Sequence, residues 1–313
     1  MARDERMAAR AVVCKACGKP IAGAYIAALH HVWHPEHFCC ACCTRPITTD
    51  RFYVHDGAPY HEGCFRASRA MPCAYCGRML LGPYLEDEWG ARYCVEHGPH
   101  LPRCSFCGRL AHERHEHAPD EGERLMCRTC RSSAIDSDAQ AQPLFKQVMQ
   151  WAAGQGLTFN NPVPRLHLYE PAHLSARGRA SGGQELGATL VTTYQWSQAE
   201  VQRVVDGVAI LRGLPSIVFA GTLAHELGHV WLIAQAVQGW PPSDEEGFCQ
   251  LLAYRYYSQV STDDSRYHAR QIERNADAVY GEGYRRVRAM ADAVGFHHLL
   301  RIIVSTKRLP RAR

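Results

Sequence analysis

The sequence predicts a multidomain chain: two small, metal-stapled, β-rich modules followed by a larger α+β domain. Three observations carry the prediction. Fourteen of the fifteen cysteines lie before Arg131, mostly in pairs at C-x-x-C spacing. Beyond Leu144 the composition becomes that of an ordinary folded domain, with helical and strand periodicities and Cys249 as its one cysteine. That second half also carries Ala224-His-Glu-Leu-Gly-His229, two histidines four residues apart with a glutamate beside the first. At 313 residues, 46% of them hydrophobic, the chain has room for about two domains, or one domain with small modules.

The net charge of +4 gives no argument for nucleic acid as a partner. The N-terminus, MARDERMAARAVV, lacks the apolar run of a signal peptide, and no run of about 18 apolar residues is present, so neither export nor a membrane span is expected. The expected compartment is the cytoplasm, where cysteines in this number serve as metal ligands rather than disulfides. Lys15, Lys19, Lys146 and Lys307 are the only lysines; such an arginine bias points to a high-GC bacterial source.

In the first module, residues 10–68, Cys14, Cys17, His34 and His37 form one set of four ligands. Cys40, Cys43, His61 and Cys64 form a second, with Cys39 and Cys42 as an alternative register. In the second, residues 69–131, Cys73, Cys76, Cys94 and His97 make a Cys₃His set, and Cys104, Cys107, Cys127 and Cys130 a Cys₄ set. Zinc takes such sets tetrahedrally, and a closed set of four leaves no position open for chemistry. Glycine follows three of the knuckles (CKACG, CAYCG, CSFCG), where a tight turn lets amides approach the sulfurs. The insert Ala111 to Glu123 reads as a solvated loop, and 132–143 as a polar linker.

Residues 144–313 form the larger domain. Leu144, Val148, Trp151 and Ala152 repeat at helical spacing; Arg165 to Tyr169 and Ala188 to Tyr194 read as strands, with a flexible connection at Ser175 to Gly187 between them. Val201 to Leu211 is ambiguous between helix and strand. A helix then runs from after Pro215 to about Val237. On it, i,i+4 spacing brings the His225 and His229 imidazoles to one metal ion, and Glu226, about 100° around the helix, can act as a general base without displacing a ligand. Pro241-Pro242 precede another helix, capped by Ser243 or Asp244, whose first turn offers Glu245 and Glu246 as third ligands. Either glutamate also suits a helix start without a metal, through a Ser243-x-x-Glu246 capping box or the helix dipole. Cys249 reads as packing rather than nucleophile, and Tyr280 and Tyr284 are alternatives for stabilising an oxyanion.

The run from Cys14 to Cys64, with W-H-x-x-H-F-x-C-x-x-C and then Y-H-x-x-C, resembles a LIM domain; keeping the LIM offset selects Cys40 and Cys43 over Cys39 and Cys42. Cys73 to Cys130 is LIM-like but lacks the W-H centre. H-E-x-x-H followed by E-G-F on a second helix resembles the gluzincin branch of the zincins, and that resemblance makes Glu246 the third ligand. Taken together with EEGFCQLLA and Tyr280-Gly-Glu-Gly-Tyr-Arg285, the order resembles the plant organ-size-control ("DA-one") family, LIM proteins with a C-terminal zinc metallopeptidase. The implied architecture is LIM and LIM-like modules on an α+β, gluzincin-like zincin. The implied activity is zinc-dependent hydrolysis of protein or peptide substrates, with one catalytic and about four structural zinc ions and with LIM modules that bind a protein partner. The plant relatives carry ubiquitin-interacting helices before LIM, and only a short segment precedes Cys14, so the resemblance carries no expectation of ubiquitin-dependent activation. The alternative is a non-catalytic LIM adaptor with an inactive zincin-like domain.

Overall fold

A computed structural model describes residues 12–69, 71–80, 82–97, 101–111, 125–159, 164–170, 186–196 and 201–310. The predicted loop at 112–123 and most of the connection at 175–187 lie outside them. The chain divides into two compact units at His100 and Leu101. That division separates two ligand sets that the sequence grouped in one LIM-like module.

Among the described residues, the first unit holds three short hairpins and one α-helix. β1 (Ile26–Ala28) pairs with β2 (His31–Trp33), β3 (Tyr53–His55) with β4 (Ala58–Tyr60), and β5 (Tyr84–Glu86) with β6 (Arg92–Cys94), all antiparallel. A 3₁₀ turn at Pro35–His37 follows β2, and α1 (Glu62–Arg69) follows β4. Strands of three residues cannot hold a sheet by themselves. The apolar core found here is small, Phe38, Cys40 and Ile47 with Trp33, Phe52 and Tyr60 packed on it.

Three ligand sets lie within this unit, with the ligand atoms of each set within 4.8 Å of one another: Cys14, Cys17, His34, His37; Cys40, Cys43, His61, Cys64; and Cys73, Cys76, Cys94, His97. The knuckle glycines Gly18 and Gly77 sit at φ +70° and +73°, while Thr44 takes the equivalent turn of the second knuckle at φ 60°. Backbone amides reach the sulfurs from across each site: His34 N–H donates to Cys14 Sγ, His61 N–H to Cys40 Sγ and Cys94 N–H to Cys73 Sγ, each at 3.4 Å. Burial alone would push the Cys14 thiol up, but the His34, Cys17 and Ala16 amides outweigh it and hold it at about 5. Cys73 is held at about 5 and Cys40 at about 6 by the same balance. These are sulfurs prepared as thiolates, the form that binds zinc.

The second unit begins with the fourth set, Cys104, Cys107, Cys127 and Cys130, all buried and within 4.8 Å of one another. Cys130 lies on α2 (Arg128–Ser132). The expected linker at 132–143 is instead structured. Ser133 and Ile135 exchange backbone hydrogen bonds with Gly213, Leu214 and Ser216, and Ala134 and Ile135 are buried. Ser137 then caps α3 (Asp138–Gly154), accepting from Gln140 N–H, and Pro143 lies inside that helix. The Ser137-x-x-Gln140 pattern is a helix-start signal that the polar composition obscured.

A three-stranded sheet follows, in the order β7 (Arg165–Tyr169), β9 (Val201–Leu211), β8 (Gly187–Gln195). β7 runs parallel and β8 antiparallel to β9, with a bulge at Leu190/Val191. Val201–Leu211 is thus a strand, paired on both sides. α4 (Ser216–Ala234) packs against β8, β9, α3 and α5 (Pro242–Val260). α4 is long and apolar enough to cross a membrane by length and composition, but most of its apolar stretch is buried in this core. α6 (Asp263–Arg274), α7 (Tyr280–Val294) and α8 (Phe296–Thr306) complete the unit. Trp231 on α4 stacks on Phe248 of α5, with ring centroids 5.4 Å apart.

Candidate functional site

The two helices that carry the motifs lie side by side. His225 and His229 point from consecutive turns of α4, and their rings are 5.1 Å apart. α5 starts at Pro241-Pro242, whose fixed φ suits a helix start, and has no side-chain cap. The expected caps, Ser243 and Asp244, instead accept hydrogen bonds from Arg286 of α7. α5 and α7 touch through glycines: a Cβ on Gly247 would lie 2.4 Å from the Gly283 backbone. That approach fixes the turn bearing Glu245 and Glu246.

The two glutamates face different atoms. Glu246 Oε2 lies 3.1 Å from His225 Nε2 and 3.5 Å from His229 Nε2. Glu245 Oε1 lies 3.0 Å from His229 Nδ1, the other side of the ring. A tetrahedral zinc with ligands at 2.0–2.2 Å sets its ligand atoms about 3.3–3.6 Å apart. Both Glu246 separations are close to that edge, so His225 Nε2, His229 Nε2 and Glu246 Oε2 fit three corners of one ion. Glu245 is placed to hold the His229 ring and its tautomer, as carboxylates behind metal-ligating histidines do. Ser243-x-x-Glu246 is not a capping box, because Glu246 turns into the site rather than back to the helix start.

The electrostatics suit a cation. Burial opposes charge on Glu246, yet hydrogen bonds from His225 and His229 outweigh it and lower its pKa well below the usual carboxylate range. Glu245 is lowered mainly by its hydrogen bond to His229. Burial works against a proton on His229, and Cys249 first, then the Glu245 and Glu246 carboxylates, override it and raise its pKa.

Glu226 is 6% exposed, and its Oε2 accepts a 2.8 Å hydrogen bond from Thr189 Oγ1 on β8. The same hydroxyl also reaches the Glu226 backbone oxygen at 3.2 Å. Thr189 carries no motif, and sequence reasoning missed it because the contact spans two elements. Gly228 admits Cys249, whose Sγ would be 2.8 Å from a Cβ there. Cys249 is fully buried, with its thiol pushed up to about 12 mainly by burial, so it packs against the site rather than acting as a nucleophile.

These groups open on a cleft of about 1260 Å³ lined by His225, Glu226, His229, Glu246, Thr189 and Tyr280. The structure separates the two tyrosine candidates. Tyr280 lines the cleft with its ring 6.5 Å from that of His225, and the Asp277 carboxylate fixes its position by accepting from Tyr280 N–H at 2.8 Å. Tyr284 is buried, accepts a hydrogen bond from Arg288 and lies outside the cleft lining. Tyr284 is therefore a packing aromatic. Burial lowers His268, also in the lining, to about 4, so its ring is neutral at pH 7.

Residues 14–69 match the LIM domain family, and residues 173–269 match the DA1-like family, described as Protein DA1. Protein DA1 of Arabidopsis thaliana is 25% identical over 95% of this chain and 68% of its own length. The chain is homologous to the plant DA1 proteins. Protein DA1-related 1 of Arabidopsis thaliana is 26% identical over 78% of this chain and 51% of its own length. LIM domain-containing protein HDR3 of Oryza sativa subsp. japonica is 25% identical over 82% of this chain and 58% of its own length. The chain thus spans between about half and two thirds of these relatives. The DA1-like match takes in Thr189, His225, Glu226, His229, Glu245 and Glu246, and stops short of Tyr280. The LIM match takes in the first two ligand sets, whereas the Cys73 and Cys104 sets lie outside both matches.

Proposed function

We propose that this chain is a cytoplasmic zinc-dependent peptidase that hydrolyses peptide bonds in protein substrates, with LIM modules that bind a protein partner or regulate access. The observation that carries the reading is the shared approach of Glu246 Oε2 to both imidazole Nε2 atoms, beside the buried carboxylate of Glu226. His225, His229 and Glu246 would hold the ion and leave its fourth corner to solvent or substrate. When bound, zinc supplies Lewis-acid activation of the scissile carbonyl and of the attacking water. Glu226 takes the water proton on Oε1, while Thr189 holds Oε2, and returns that proton to the leaving amine. Tyr280 donates to the carbonyl oxygen as negative charge develops there. Among the described residues β8 is an edge strand, and several of its residues line the cleft, so its backbone edge can pair with an extended substrate.

An inactive adaptor would have no use for a buried carboxylate beside the two imidazoles, where it costs desolvation. The closed Cys/His sets favour a reducing compartment, and the modules have the small surfaces through which zinc-stapled domains present themselves to proteins. Incubation of the zinc-loaded chain with an unfolded protein tests the reading. New N-termini are expected, lost on chelation and regained on adding zinc. Intact substrate after prolonged incubation with full zinc loading would favour the adaptor.

A further inference from the structure

The sequence treats the fourth ligand set as part of a remote module, yet its knuckle reaches the candidate active site. Ser105 and Phe106, between Cys104 and Cys107, line the same cleft as His225, His229 and Glu246. Three attachments fix the knuckle there. Arg109 Nη1 pairs with Asp264 Oδ1 of α6 at 2.9 Å. The Tyr267 hydroxyl lies against Gly108, where a Cβ would meet it at 2.6 Å. Beyond Cys130, Ser133 and Ile135 are hydrogen-bonded to the turn that starts α4.

Aromatic surface continues from the knuckle toward the metal ligands. Tyr267 packs edge-on against His268, and His268 stacks on Tyr257, each pair with centroids 5.3 Å apart. The Tyr257 hydroxyl sits over Gly221, where a Cβ would meet it at 1.9 Å. Gly221 is one turn before His225, about 6 Å along α4. Phe106, Tyr267 and His268 thus line the same cleft as His225, His229 and Glu246.

We propose that Phe106, held by the Cys104–Cys130 zinc knuckle, forms with Tyr267 and His268 a subsite for a large apolar side chain of an extended polypeptide, so that a structural zinc site sets cleavage preference. This rests on the peptidase reading for its turnover but not for its binding. The test compares zinc-loaded wild type, Phe106→Ala and Phe106→Leu on a peptide library varied on both sides of the cut. Wild type is expected to prefer Phe, Leu or Met at one fixed position. Phe106→Ala should lower kcat/KM for those peptides at least tenfold more than for peptides with Ala there, as apolar pocket contacts do, and Phe106→Leu should fall between. Zinc content reports whether each knuckle is intact, and Phe106→Leu decides the matter if Phe106→Ala loses metal. The same peptides are titrated onto Glu226→Gln and onto Glu226→Gln with Phe106→Leu, read by fluorescence anisotropy. Binding that depends on Phe106 without turnover in wild type would leave the subsite standing and remove the peptidase reading. Unchanged preference and unchanged affinity in metal-replete Phe106 variants would overturn the subsite.

Discussion

Glu226→Gln is expected to lower kcat for peptide hydrolysis by roughly 10³-fold, within the range for loss of a general base, while zinc content stays at the wild-type value. The substitution is nearly isosteric. Its amide oxygen can still accept from Thr189 Oγ1, which holds the Glu226 carboxylate at 2.8 Å, so the side chain keeps its place and loses its basicity. The metal ligands lie on other residues, His225 and His229 on the same helix and Glu246 on α5. Steady-state kinetics on one cleaved peptide, paired with metal analysis of the same samples, reads both halves. Turnover within threefold of wild type at equal zinc would assign the base elsewhere.

The second large effect concerns metal removal from the first unit. A strong chelator is expected to abolish ordered structure across residues 12–97 while α3 to α8 persist. The reason is the disparity of cores. The first unit's apolar cluster is centred on Phe38, Cys40 and Ile47, whereas the second unit buries Phe219, Leu223, Leu227, Trp231, Phe248, Tyr284 and others. Structural zinc in peptides of comparable size contributes about 10–16 kcal/mol, enough to decide whether they fold. Acid should do the same. Cys14 and Cys73 are lowered from 9.0 to about 5 and Cys40 to about 6, so their contribution is full only above about pH 9 and declines as pH falls toward 5, and protons compete with zinc for every ligand over the same range. Amide spectra at increasing chelator would show collapse of dispersion for the first unit's resonances. Preserved dispersion after verified zinc loss would mean that its small core suffices.

The parts legible in the sequence were those set by short spacing. Each Cys/His set draws its members from knuckles and hairpins closed within about two dozen residues, and His225 and His229 need only a helix between them. β7 and β8 followed from alternation and β-branched content. What the residues alone left open, or hid, depended on distant partners. Glu245 and Glu246 are adjacent on one turn, and only the Gly247–Gly283 contact and the facing helix decide which carboxylate meets both Nε2 atoms. Tyr280 and Tyr284 share a helix, but Asp277 fixes the first at the cleft while Arg288 engages the second. Residues 132–143 read as a linker because Ser133 to Ile135 find their backbone partners some eighty residues later, at Gly213 to Ser216. Phe106 reads as a knuckle residue until α6 anchors the knuckle through Arg109–Asp264 and Gly108–Tyr267.

His225, His229 and Glu246 are proposed to share one zinc ion. Anomalous diffraction from crystals of the zinc-loaded chain, recorded on both sides of the zinc absorption edge, tests it most directly. An edge-dependent peak is expected about 2.1 Å from His225 Nε2, His229 Nε2 and Glu246 Oε2, separate from those of the Cys/His sets. Peaks at the Cys/His sets with none between α4 and α5 would contradict it.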